Sequence, residues 1–159
     1  VESFKEKQDA LRLTVNKDGY QIKIELSPVL RGTVYDPVVI PVSESVEEEF
    51  GFAEMQVSHF ADLYAGKICA ALDRQHPRDL FDVKVLLDNE GLTDSLRKAL
   101  LVYIISHNRP IAELLRPNFK DISGLYEGEF QSMAQEDVSL LELETTRERL
   151  VGLVHSSLT

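Results

Sequence analysis

A chain of 159 residues, 43% of them hydrophobic, is long enough for one compact domain with a real core and leaves little room for a second. Seventeen basic residues face twenty-seven acidic ones, and the formal net charge of −10 argues against broad, sequence-independent nucleic-acid binding, which neutralises many phosphates with Lys and Arg. A local basic site on an acidic body is compatible with that balance. Cys69 is the only cysteine, so no intrachain disulfide can form and a reducing compartment suits the chain. No apolar run approaches the roughly 20 residues that span a bilayer, and no basic-then-apolar signal opens the chain, so a cytoplasmic protein without membrane contact is expected.

The chain begins at Val1 rather than Met, and its first ten residues carry no start signal. It reads as trimmed, processed or part of something longer. Residues 10–15 and 20–26 both alternate, and Asn16-Lys17-Asp18-Gly19 lies between them, which predicts a β-hairpin. In the second strand Ile22, Ile24 and Leu26 share one face and Gln21, Lys23 and Glu25 the other, and Ser27-Pro28 ends it. Residues 29–51 read as a loop with Arg31, Gly32, Asp36, two prolines and the solvated acidic run Glu47-Glu48-Glu49; 38–40 fits an edge strand and 53–59 a further strand. Helices are predicted over 61–74, 78–87 and 94–106, the last capped by Thr93 or Asp94, with Asn89-Glu90-Gly91 as the stop before it. A short helix over 110–115, an irregular 117–128 and a long amphipathic helix over 138–154 follow, the last with Glu142, Glu144, Arg147 and Arg149 at polar positions. Strands first and helices after give an α+β fold: an N-terminal β-hairpin or small mixed sheet, then a helical lobe. A single domain over 1–159 is expected, with 1–60 strand-rich and 61–159 helical.

The most informative stretch runs from Lys67 to Asp82, K-I-C-A-A-L-D-R-Q-H-P-R-D-L-F-D. On a helix Lys67 and Arg74, seven apart, share a face with Ala70 and Ala71 between them, and a cationic stripe with so little bulk can receive a polyanion. Pro77 restarts the helix, which puts Arg78 and Asp79 in its first turn and Asp82 one turn beyond Arg78, where the two can pair.

I-K-I-E-L-S-P at 22–28, the K-x-x-A-x-x-x-R of Lys67 to Arg74 and the R-D-x-x-D of Arg78 to Asp82 together resemble the AbiEii-type nucleotidyl transferases, the toxin half of abortive-infection toxin–antitoxin pairs. The likeness covers roughly the first 90 residues and continues loosely into the helical tail. It implies a DNA polymerase β-like fold, with a small sheet bearing metal-binding carboxylates and a helical lobe beside it. The family carries a Gly-Ser or Gly-Gly turn and a D-x-D pair before the K-x-E strand; Gly19, the only glycine before that strand, is not followed by one, so the pair is expected to lie before Val1.

The resemblance implies that a nucleotide moves from a nucleoside triphosphate onto an RNA acceptor such as tRNA, or onto a protein, with Mg²⁺ as cofactor and an antitoxin as partner of a type IV-like system. In-line attack on an α-phosphorus needs the triphosphate held and its oxygens stabilised, usually by divalent ions that take carboxylate ligands. By this likeness Lys67, Asp79 and Glu25 are the candidate catalytic residues. Glu25 is the candidate metal ligand, and Lys23, Arg74, Arg78 and Asp82 are candidates for nucleotide binding.

The same residues have plainer explanations. The helix dipole favours Asp79 in a first turn whatever the protein does, Lys67 and Arg74 suit a solvated helix face, and Glu25 alternates as any exposed strand residue would. A noncatalytic or degenerate partner-binding domain of the same fold, or an unrelated acidic α+β domain, are the competing readings. His59, His76, His107 and His155 lack zinc-ligand spacing, and His76 fits a helix-start turn. Cys69 reads as a buried small hydrophobe and 100–105 as a core helix.

Overall fold

The structure, a computed structural model, describes residues 5–7, 10–17, 19–26, 32–133 and 137–158. The chain divides into two compact units, Val1–Gly32 and Thr33–Thr159. Among the described residues the first unit holds three strands and the second a strand pair with all the helices, so the chain as a whole has the α+β fold expected.

In the first unit β1 (Lys5–Lys7), β2 (Ala10–Lys17) and β3 (Tyr20–Leu26) form an antiparallel sheet in that order. The predicted hairpin is β2–β3, with Lys17 opposite Tyr20 and Leu13 opposite Ile24. Its strands run through Asn16 and Lys17, which the sequence assigned to the turn, and the Gln21 side chain donates to Asn16 Oδ1 across the pair at 3.1 Å. Gly19 takes φ 85°, a conformation that costs a residue without Cβ nothing. Asp18, the Ser27-Pro28 stop and the first part of the predicted loop, 29–31, lie outside the described residues.

The second unit opens with β4 (Val38–Pro41) and β5 (Glu54–Val57), an antiparallel pair that registers Val38 with Val57 and Ile40 with Met55. Between them lies α1 (Glu44–Phe50), so the acidic run expected in a loop is helical, although solvated as expected. Glu44 and Glu47 sit in its first turn, where the helix dipole favours negative charge, and Gly51 ends it at φ 86°.

Helix α2 (Phe60–Arg74) buries Ala61, Ala65, Ile68, Cys69 and Leu72, the spacing of one helical face. Helix α3 (Pro77–Asn89) buries Leu80, Val83, Leu86 and Leu87, and α4 (Asp94–Ile105) buries Leu96, Ala99, Leu100 and Ile104. α2 packs on both of them. Thr93 Oγ1 accepts from the Leu96 amide and so caps α4. Only part of the 100–105 run is core, since Leu101, Val102 and Ile105 are exposed.

After α5 (Ile111–Leu115) the stretch expected to be irregular contains α6 (Ser123–Leu125) and a π-helical turn, Tyr126–Phe130, which buries Phe130 against Phe81 of α3. Helix α7 (Leu140–Leu158) packs on α3 and buries Leu143, Leu150 and Val154 in the core. Arg147, expected at a polar position of this helix, is only 6% exposed. Its Nη1 donates to Lys120 O at 2.8 Å and to Gln75 Oε1 at 3.2 Å, and its guanidinium lies 4.4 Å from the Phe119 ring centroid, which makes burial of the charge tolerable. On the solvent side Arg149 and Lys84 both donate to Asp88 at 2.7 Å, fastening α7 to α3. Those bonds, Lys84's first, hold the Asp88 carboxyl below the ordinary Asp range.

Candidate active site

The candidate residues divide between the two units. Lys23 and Glu25 lie two apart on β3, hence on one face, opposite Thr14 and Arg12 in register. The others lie on the α2–α3 helix hairpin.

The turn between those helices sets their geometry. α2 ends at Gln75, whose φ of 56° is the left-handed conformation and reverses the chain. His76 follows as N-cap, its Nδ1 accepting from the Arg78 amide at 3.2 Å, with Pro77 first in α3, as the helix-start reading of His76 requires. Gln75 is 2% exposed and fully used: Nε2 donates to Asn118 O at 2.9 Å, and Oε1 accepts from the Lys120 amide at 3.0 Å and from Arg147. A residue strained in φ and bonded three ways is held in place by its surroundings.

Across the hairpin the charges form two rungs. Lys67 Nζ pairs with Asp82 Oδ2, and Arg74 Nη2 donates to Asp79 Oδ1 at 2.7 Å. The expected Arg78–Asp82 pair is not made. Asp82 turns to Lys67 on the neighbouring helix, and Arg78 Nη2 lies 3.4 Å from Glu129 Oε2 in the π-helical turn, which His76 Nε2 also approaches at 3.3 Å. The tertiary partner wins because it brings an opposite charge from a second element at no loss of the helix's own bonds. Glu129 gave no signal in the sequence, standing 51 residues from Arg78.

Asp79 differs from the other carboxylates of this cluster. Its side chain is 13% exposed against 38% for Asp82, and its Oδ2 is buried with no hydrogen-bond partner among the described residues. A carboxylate oxygen left so has unspent accepting capacity at a desolvation cost of about 1–3 kcal/mol. The cations also have donors left. An ammonium has three N–H groups and a guanidinium five, and each here spends few of them on its carboxylate.

A second polar cluster adjoins the first. Asp73, beside Arg74 on the last turn of α2, pairs with Arg109 Nε, and Arg109 Nη1 lies 3.5 Å from Glu113. These residues and the 116–120 loop line a cavity of about 510 Å³.

A family model described as nucleotidyl transferase AbiEii toxin, type IV TA system, matches residues 1–152. A match over almost the whole length places an α+β chain with this helix hairpin in the class of nucleotidyl transferase toxins. The chain belongs to the AbiEii family. Membership implies a nucleotide substrate and an antitoxin partner. No curated protein and no solved structure matches the chain significantly. Among the described residues no helix is long and apolar enough to cross a membrane.

Nucleotidyl transferases generally use a divalent metal. Among the described residues no three His, Cys, Asp or Glu side chains converge to hold one. The residues described therefore do not make a complete ion site.

Proposed function

We propose that this protein transfers a nucleotide from a nucleoside triphosphate to an RNA or protein acceptor, acts in the cytoplasm, and uses the α2–α3 hairpin to hold the triphosphate. The observation that carries the reading is the cluster itself: Lys67, Arg74 and Arg78 lie on one helix hairpin with Asp79, whose Oδ2 is buried with no hydrogen-bond partner among the described residues. Lys67 donates its remaining N–H groups to the phosphates, and Asp82 fixes its reach. Arg74 and Arg78 position the chain of phosphates from the two sides of the turn, with Asp79 and Glu129 setting their forks. Asp79 Oδ2 accepts from the nucleotide or faces a cation. Separately, on β3 of the first unit, Lys23 is proposed as a nucleotide contact and Glu25 as one carboxylate for a divalent ion. Held in this way, the triphosphate presents its α-phosphorus to the acceptor without reorganisation of the cations during the reaction.

A second reading has its own support. Lys67, Arg74 and Arg78 each have a carboxylate partner, the arrangement of a helix clamp in a noncatalytic, partner-binding relative. The complete gene product, incubated with labelled nucleoside triphosphates, Mg²⁺ and total tRNA, separates the two. Label on tRNA or protein that is lost in both Lys67→Met and Asp79→Asn supports transfer; equal labelling in both variants removes these residues from the chemistry.

A further inference from the structure

We propose that the cavity beside the last turn of α2 is a binding site for a mononucleotide, with Arg116 and Lys120 on its phosphate and Phe119 under its base. The proposal is independent of the transfer reaction. Asp73 and Arg74 are neighbours on α2, but Arg74 reaches to Asp79 on α3, whereas Asp73 reaches to Arg109 and the cavity.

The cavity, at about 510 Å³, falls within the range of small-ligand sites. Its 116–120 wall is built by buried polar groups. Gln75 fixes the Asn118 carbonyl and the Lys120 amide, Arg147 fixes the Lys120 carbonyl, and these two anchors are 2% and 6% exposed. Such a wall is formed before any ligand arrives, which spares the ordering entropy of binding.

The charges inside are unevenly spent. Arg109 is matched by Asp73 and Glu113. Among the described residues Lys120 Nζ donates only to main-chain carbonyls, Asp73 O at 3.1 Å and Arg74 O at 3.4 Å. The Arg116 side chain has neither an ion pair nor a hydrogen bond among the described residues. Two cations with no carboxylate partner among the described residues, in a chain of net charge −10, fit one phosphate group. Phe119 completes the set: its ring lines the cavity, is 46% exposed, and is held from one side by the buried Arg147 guanidinium. A fixed, half-exposed ring is a platform on which a flat base stacks, worth a substantial part of the affinity wherever bases bind aromatics. Phosphate and ring contacts a few residues apart on one loop specify a nucleotide better than either a free phosphate or a free base.

The test is calorimetric titration of the intact protein with adenosine 5′-monophosphate, inorganic phosphate and adenosine. The monophosphate is expected to bind at least about tenfold tighter than either fragment, and Arg116→Ala and Phe119→Leu each to weaken it about tenfold. Arg116→Ala removes an exposed side chain with no ion pair or hydrogen bond among the described residues, and Phe119→Leu keeps an apolar group against Arg147, so both variants are expected to retain the structure. Lys67→Met is expected to leave monophosphate binding unchanged while transfer is lost, so the two proposals can fail separately. Equal affinity for phosphate and monophosphate overturns the nucleotide assignment. Monophosphate binding that survives Arg116→Ala but is lost in Lys67→Met places the ligand at the helix hairpin and overturns the site.

Discussion

Two basic clusters flank the last turn of α2, and they spend their charge differently. On the α3 side Lys67, Arg74 and Arg78 are each matched by a carboxylate, whereas in the cavity Arg116 and Lys120 meet none among the described residues. A matched cation is positioned in advance, but an arriving phosphate must share it with its partner. An unmatched cation is available at once and depends on its neighbours for position, here on the loop that Gln75 and Arg147 hold. The first arrangement suits a group that must sit in one place during a reaction, and the second suits simple binding.

The sharpest way to break this comparison is at the matched cluster. Lys67→Met and Asp79→Asn are each expected to lower nucleotide transfer by about 100-fold or more, the loss typical of one stabilising group at a reacting phosphate or oxyanion. Lys67→Met lowers stability by less than about 1 kcal/mol, because the Lys67–Asp82 pair is a third exposed and screened. A rate loss that tracks an unfolding transition instead would reduce the cluster to a clamp.

Core truncation gives the scale against which that contrast is read. Leu80 is fully buried on α3, and Leu80→Ala is expected to destabilise by about 2–5 kcal/mol in a urea titration. The turn that separates the clusters comes next. Gln75→Ala removes three hydrogen bonds and is expected to lose about 1–3 kcal/mol, with Gln75→Gly milder by about 1 kcal/mol because glycine accepts the left-handed φ.

The smallest effect belongs to Asp88, far from either cluster's chemistry. Its carboxyl is held below the ordinary range by Lys84 and Arg149, so the folded state binds its proton less readily than the unfolded chain. The stabilisation is therefore present at neutral pH. It fades as the pH falls from the ordinary Asp value of 3.8 through the lower folded one. For a pair with 41% and 49% exposed side chains this amounts to on the order of 0.5 kcal/mol, absent from Asp88→Asn in a comparison of melting at pH 7 and pH 3.

The legibility of these features in the sequence follows their range. α2, α3 and α4 repeat apolar residues at helical spacing, and Thr93, His76 and Pro77 mark their ends, so local signals placed them within a few residues. The hairpin β2–β3 was equally local. α1 was hidden by an acidic run that reads as solvent-exposed loop, since three successive glutamates resemble an unstructured stretch as much as a helix N-terminus. The K-x-x-A-x-x-x-R and R-D-x-x-D residues marked the charges that the helix hairpin gathers, but not their pairing: Asp82 chose Lys67 across the hairpin, and Arg78 chose Glu129. Arg147 was misplaced at a polar position because its partners, Gln75, Phe119 and the Lys120 carbonyl, come from other elements and only the tertiary fold assembles them. The same holds for the cavity, whose walls are drawn from α2, the 109–113 segment and the 116–120 loop.

In the proposed function Lys67 acts on the nucleotide and does not merely tie α2 to α3. The most direct test exchanges the partners of its ion pair, Lys67→Asp together with Asp82→Lys, and measures thermal unfolding and nucleotide transfer on the same preparation. The charge pair is kept and the ammonium moves to the other helix. Stability close to that of the parent protein is expected, with transfer still lower by about 100-fold. Transfer restored along with stability would contradict it, and would make the Lys67–Asp82 pair a helix clamp.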